Sequence, residues 1–170
     1  TLNVDLGALD PKDRYKLLTA VVIPRPVAWV TTISDEGIVN AAPFSFFNLF
    51  GKDPALVALG LEHHADGSPK DTTRNIRAGG DIVITIATPD LTVAMVGTAA
   101  HYAPTAGEPE ALGLPTAPSA HIAPPRLADV PVAIECRRTV ALTFSPEREI
   151  VIGGAEGLAA REGMGDLASW

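Results

Sequence analysis

Apolar residues arrive along this chain mostly in bursts of strand length, separated by clusters of Gly, Pro, Asp and Asn. Val27 to Ile33 is rich in β-branched residues, carries a Trp, and predicts a strand. Asp35-Glu36-Gly37 predicts a hairpin turn returning through Ile38-Val39-Asn40. Ala55 to Leu61 is a continuous apolar run, the pattern of a strand buried on both faces. Asp81 to Ala87 alternates, and Val132 to Phe144 and Glu149 to Leu158 supply the last two strands. Three helices interrupt them. Asp10 caps the first and Pro11 takes its opening position, ahead of Lys12 to Leu18. Ser68 opens the second, which Gly79-Gly80 stops, and Pro89 to Thr98 forms the third. From about Ala103 to Pro131 the chain is rich in Pro, Ala and Gly with little periodicity, as expected of a functional stretch or one packed over another subunit. Short strands with three helices predict a mainly β fold, a small barrel decorated by helices. No repeat or linker divides the chain, so residues 1–170 are expected to form a single domain.

Composition narrows the function. A hydrophobic share of 46% and a mean hydropathy of +0.20 lie on the apolar side for a small domain, which points to surface buried against a partner. The net charge of −7 argues against a nucleic-acid partner, which needs a basic face. Any phosphate site must then be built locally, against the overall field. Cys136 is the one cysteine, so no internal disulfide is available, and its alternating setting predicts a core residue rather than a reactive thiol. No run reaches the length of a membrane span, and no basic-then-apolar leader precedes the first helix. The chain opens on Thr1, consistent with a removed initiator Met, and a cytoplasmic location is expected.

Two segments carry candidate chemistry. Ala41-Ala42-Pro43-Phe44-Ser45-Phe46-Phe47-Asn48 crowds three Phe around a proline that cannot donate to a sheet ladder. A strand entering it is expected to stop pairing, leaving backbone N–H groups in need of another acceptor. Flat apolar side chains beside free donors suit a flat heteroaromatic ligand with polar edges; an aromatic mini-core under a loop fits the same residues. Ser68-Pro69-Lys70-Asp71-Thr72 reads as a capped helix start, with Asp71 three places after the cap. Unpaired N–H groups at such a start, with Lys70, the Thr72 hydroxyl and Arg74 beside them, suit a phosphate. A plain surface helix with solvated charges is the alternative.

Together with Pro24-Arg25-Pro26-Val27-Ala28-Trp29-Val30-Thr31-Thr32, these blocks, in this order, resemble the flavin reductase-like proteins with an FMN-binding split barrel. That family typically shows an Arg-Pro-(Val/Ile)-Ala-Trp-Val-(Ser/Thr)-Thr strand, an Asn-x-Ala-Pro-Phe-Ser-(Phe/Tyr)-Phe-Asn segment and a Lys-Asp-Thr-x-Arg-Asn-Ile helix start. The resemblance covers roughly residues 14 to 158. It implies a split β-barrel that forms homodimers and binds FMN, with NADH or NADPH as reductant. The residues it marks for the cofactor are Trp29, Val30, Thr31, Thr32, Ser45, Phe46, Phe47, Asn48, Lys70, Thr72 and Arg74. Flavin carries the redox chemistry itself, so no catalytic side chain is required.

The match has gaps. Relatives commonly follow a Gly-Glu-Val run in the last strand with a His; here Ile152-Gly153 leads into Gly154-Ala155-Glu156, and Ala159 stands where that His is expected. An Arg-x-Gly-Gly-Tyr-like tail is also missing before Trp170. Glu62, His63, His64 and Asp66 can be drawn as a metal set, but adjacent strand residues point oppositely and no second cluster completes a shell, so no metal is expected. His101-Tyr102 either borders a nicotinamide pocket or lies as a surface pair. The leading reading is an NAD(P)H-dependent flavin oxidoreductase that passes electrons to free flavin, oxygen or a partner. The alternative is an FMN electron carrier of the flavoredoxin type, reduced by another protein. A flavin-binding sensor ranks last because no output domain is present.

Overall fold

The computed structural model describes residues 1–103 and 105–164. Seven strands make one antiparallel sheet: β1 (Ala28–Ile33), β2 (Val39–Phe44), β3 (Phe47–Lys52), β4 (Ala55–Glu62), β5 (Asp81–Ile86), β8 (Val132–Ser145) and β9 (Arg148–Ala160). Two short strands, β6 (Thr116–Ala117) and β7 (Arg126–Leu127), pair apart from it. The helices are α1 (Pro11–Val21), α2 (Asp71–Ala78), α3 (Thr92–Gly97) and α4 (Glu108–Ala111).

The sheet order is β2-β1-β5-β8-β9-β4-β3. Its two outermost strands are therefore consecutive in the chain, joined only by Ser45 and Phe46. A two-residue link cannot span a flat seven-stranded sheet at about 4.8 Å per strand, so the sheet must curl until its edges meet. The result is a barrel left open along one seam. Gly60 makes the seam possible: its N–H donates to the Phe46 carbonyl at 2.7 Å, and a Cβ there would lie 2.8 Å from Phe46 Cβ.

The barrel interior is filled by Ala28, Val30, Val57, Leu59, Leu61, Ile82, Ile84, Cys136 and Val151, with Ile76 packed in from α2. The opposite face of the same strands carries Trp29, Val83 and Ala133. Leu127 and Val130 cover them, with Leu91, Ala94 and Met95 alongside. Burial on both faces explains the unbroken Ile82-Val83-Ile84 run.

Four sequence expectations need correction. Pairing does not stop at the proline: β2 runs on through Pro43, which lies opposite Trp29. Only one edge of β2 is paired, so the missing donor costs no ladder bond. Just Ser45 and Phe46 stay outside the strands, because Phe47 to Lys52 forms a strand that the sequence reading did not assign. The second helix starts at Asp71 rather than Ser68, with Lys70 as the N-cap residue and no side-chain cap. The Ala103–Pro131 stretch is not structureless; it contributes α4, β6 and β7 and packs Leu127 and Val130 onto its own core.

Candidate functional site

Two cavities flank the seam. The first, about 410 Å³, is floored by Ala42, Pro43 and Phe44 of β2. The start of α2 forms one wall through Lys70, Asp71, Thr72 and Arg74, and residues Thr98 to Tyr102 form another. Asn40, His64 and Glu108 complete it. Its size is in the range of small-molecule sites, roughly 300–1,000 Å³.

No side chain among the described residues caps the helix start. The Ser68 hydroxyl, expected to cap, instead donates to Asp66 Oδ1 at 2.6 Å, and the Ser68 N–H bonds the same oxygen at 2.8 Å. Those two bonds hold the Asp66 carboxyl below its ordinary value. The α2 first turn is left without a side-chain acceptor at its positive end. Lys70 is exposed, and its ammonium makes no ion pair or hydrogen bond among the described residues. Arg74 differs: it pairs with Asp71 and donates to the Pro69 carbonyl at 2.8 Å. Of the two cations, only Lys70 is uncommitted.

Behind this wall lies a buried polar chain that joins four elements, α4, β2, α2 and β1. Glu108, 6% exposed at the start of α4, accepts from the Ala41 N–H at 2.9 Å. Asn40 Nδ2 donates to both Glu108 oxygens at 2.9 Å. Asn40 Oδ1 accepts from the Thr72 hydroxyl at 2.6 Å, and the Thr32 hydroxyl lies 3.4 Å away. Asn75 Nδ2 donates to Thr32 Oγ1 at 3.0 Å. Gly107 lets α4 come this close, since a Cβ there would sit 2.3 Å from the Val39 carbonyl oxygen. At the mouth, the rings of His64 and His101 meet edge to face at 5.9 Å.

The second cavity, about 470 Å³, is more apolar. Ser45 to Asn48, Phe50, Phe144 and Ile150 line it, with Val22 to one side. Asn48 turns its carboxamide back onto the Leu49 N–H at 2.8 Å. Glu149 at its base is buried and accepts from Arg77 Nη2 at 2.7 Å and Nε at 3.2 Å. His63 Nε2 stands 3.7 Å from the same carboxylate oxygen, and Nδ1 is 2.7 Å from the Pro146 carbonyl. His63 is thus held inside the fold while His64 faces the first cavity. No group of three or more potential metal ligands occurs among the described residues.

The residues marked from sequence therefore fall into three sets. Lys70, Thr72 and Arg74 share the first cavity, and Ser45, Phe46, Phe47 and Asn48 share the second. Trp29, Val30, Thr31 and Thr32 line neither. Val30 points into the barrel core. Trp29 donates to Thr98 Oγ1 at 3.0 Å from the outer face, and Thr31 donates to the Pro125 carbonyl at 2.7 Å. Sequence reasoning missed Asn40 and Glu108. The one signal for Glu108 was an acid placed between Gly107 and Pro109, and Glu110 two positions on carries the same charge.

The family model for the flavin reductase like domain matches residues 20–168. The chain belongs to the flavin reductase-like family. An uncharacterized protein of Deinococcus radiodurans is 40% identical over 164 residues, covering 94% of this chain and 72% of its own length. Among solved structures, the chain is similar to the 2-nitrobenzoate 2-nitroreductase of Pseudomonas fluorescens, with a TM-score of 0.89 and 33% identity. That match covers 99% of this chain and 81% of the other. It is also similar to nitrilotriacetate monooxygenase component B from Bacillus cereus, with a TM-score of 0.92, 32% identity and coverage of 98% and 85%. A flavin reductase-like split barrel from Shewanella frigidimarina, at 16% identity and a TM-score of 0.82, shares the fold. Family membership supports a flavin-binding oxidoreductase on a split barrel. The cavity suits the phosphate end of such a cofactor: an uncapped helix start, a free ammonium and an apolar floor lie together.

Proposed function

We propose that the chain binds FMN, takes electrons from NADH or NADPH, and passes them to free flavin, oxygen or a partner protein. The observation that supports this reading best is Lys70, an unpaired cation at the uncapped start of α2 in a cavity of mononucleotide size. The Lys70 ammonium and the α2 first-turn N–H groups would hold the phosphate, and Ala42 to Phe44 would give the ring system an apolar bed. When bound, the flavin supplies the hydride and electron transfer, so the protein's part is to bind, orient and exclude water. Ser45 and Phe46, at the seam, line the second cavity directly after Phe44 of the first, and would meet the cofactor's edge from there.

The working unit is a homodimer. None of the α1 residues is buried, and Leu17, Leu18, Val21, Val22, Phe46, Leu49, Phe50, Leu142 and Phe144 are all exposed. Val22, Phe46, Phe50 and Phe144 gather around the second cavity, so this apolar surface is continuous. A specific dimer is expected to bury more than about 1,000 Å². Light scattering at micromolar concentration checks it, and a monomeric mass with flavin bound rejects it.

The test of the activity is anaerobic mixing of the FMN-loaded protein with NADH and with NADPH while flavin absorbance is followed. Bleaching by either supports the oxidoreductase. Reduction by dithionite but by neither nucleotide selects the electron-carrier alternative, which the half-buried Ala159 favours, since relatives commonly offer a His there.

A further inference from the structure

The first cavity contains a hydroxyl whose hydrogen-bonding direction is fixed from a distance, and the fixing residue is Glu108. Donor and acceptor identities alone decide the direction. A carboxylate accepts and never donates. Glu108 Oε2 already takes the Ala41 N–H, so the Asn40 atom facing it must be the amide nitrogen. The other end of that carboxamide, Oδ1, then faces α2, and a carbonyl oxygen can only accept. Thr72 Oγ1 lies 2.6 Å from it, so the hydroxyl proton of Thr72 must point inward to Asn40. All three side chains are more than nine-tenths buried, so their mutual hydrogen bonds decide the assignment.

We propose that Glu108 is a positioning residue for the anion site. Through Asn40 it turns the Thr72 hydroxyl into an acceptor toward the cavity. A bound phosphomonoester dianion, itself an acceptor, receives no hydrogen bond from that hydroxyl. It is held instead by the Lys70 ammonium and the α2 backbone amides. This rests on the anion-site reading above and adds a rule to it: the site's selectivity lies in backbone donors and one flexible cation, and its threonine is withheld. Glu108→Gln removes the rule without removing the contacts. The carboxamide introduced by that substitution can accept the Ala41 N–H with its oxygen and donate with its nitrogen to a reversed Asn40. Asn40 Nδ2 then donates to Thr72 Oγ1, and the threonine proton becomes free to meet the phosphate.

The experiment is a double-mutant cycle on flavin affinity, read by quenching of flavin fluorescence at pH 8. FMN and riboflavin are titrated into the full chain, E108Q, T72V and the double variant. A hydrogen bond to an ionised group corresponds to roughly ten-fold or more in affinity. The expected result is that T72V weakens FMN binding at least about five-fold more in the E108Q background than alone, with no such difference for riboflavin. An equal T72V effect in both backgrounds overturns the proposal, as does an FMN-specific loss of ten-fold or more in T72V alone. That second criterion needs no folded E108Q protein. The anion-site reading fails separately, if the unmodified chain binds FMN and riboflavin equally, and the proposal falls with it. The amide proton of Ala41, bonded to a carboxylate in the native chain, gives an independent NMR readout and must shift in E108Q.

Discussion

Removing Lys70, the cation of the first cavity with no side-chain partner among the described residues, is the most direct test of how the site works. In Lys70→Ala the lost group is exposed and has no partner among the described residues, so folding stability should change by no more than about 0.5 kcal/mol. For a chain of this length that is a melting shift of roughly 2 °C or less. The effect on ligand is larger. Opposite unit charges 4 Å apart interact by about 1 kcal/mol in water and about 4 kcal/mol at the effective dielectric near a protein surface. The exposure of Lys70 places it toward the lower end, and charge-assisted hydrogen bonds contribute about 1.5–3 kcal/mol. At about 1.4 kcal/mol per decade, FMN should bind about 10- to 150-fold more weakly. Riboflavin, which lacks the phosphate, should bind the variant and the native chain alike. Fluorescence titration of both ligands reads this, and the FMN difference should shrink as salt is raised. A loss below about three-fold for FMN, or equal losses for the two ligands, refutes the phosphate assignment.

Arg77→Ala leaves the buried Glu149 carboxylate with His63 as its remaining ion-pair partner among the described residues, and because Arg77 is itself partly exposed the cost should be about 2 kcal/mol, a fall of roughly 4–8 °C in melting. Adding Glu149→Gln should recover part of that; a single variant as stable as the native chain would show that the pair contributes nothing. Burial pushes the Cys136 thiol from 9.0 up to about 12, so it should resist thiol reagents at pH 8 until the protein unfolds, and rapid modification of the native chain would contradict its place in the core. The sign follows: this group's contribution to stability is intact below pH 9.0 and is lost as pH climbs toward about 12. Fully FMN-loaded Ser45→Ala and Asn48→Ala should keep their reduction by NAD(P)H within about 10²-fold, since a larger loss is the mark of a side-chain acid or base.

Local signals in this chain are legible and distant ones are not. Asp10 caps α1 as its position before Pro11 implies, accepting from Lys12 and Asp13 at 2.8 and 3.0 Å. The β1, β4, β5, β8 and β9 strands follow from their apolar runs. Cys136 sits in the core as its alternating neighbours indicate. The failures share one cause, which is tertiary context overriding a local rule. Pro43 can stay in a strand only because that strand is outermost, and strand order is not written in any short window. Ser68 prefers Asp66, so the helix begins two residues later than the capping pattern implies. Asn40 and Glu108 are 68 positions apart, and no periodicity connects them. The motif residues divide likewise: Lys70 and Thr72 reach the cavity, while Thr31 is committed to a carbonyl of the covering segment.

The seam between β2 and β3 leaves this chain with two margins that no strand of the sheet pairs, and on β2 the Ala41 N–H is already taken by Glu108. The sequence places different obstacles at each. On β2, Pro43 removes a donor from the row and interrupts any ladder an intruder might extend. On β3, the register slips between Leu49 and Gly51, and the strand ends on Lys52 just before Asp53-Pro54. The same irregularities that line the two cavities thus also oppose edge-to-edge pairing. A variant that regularises them, such as Pro43→Val, gains a continuous margin, and its price is measured in solubility before it is measured in catalysis.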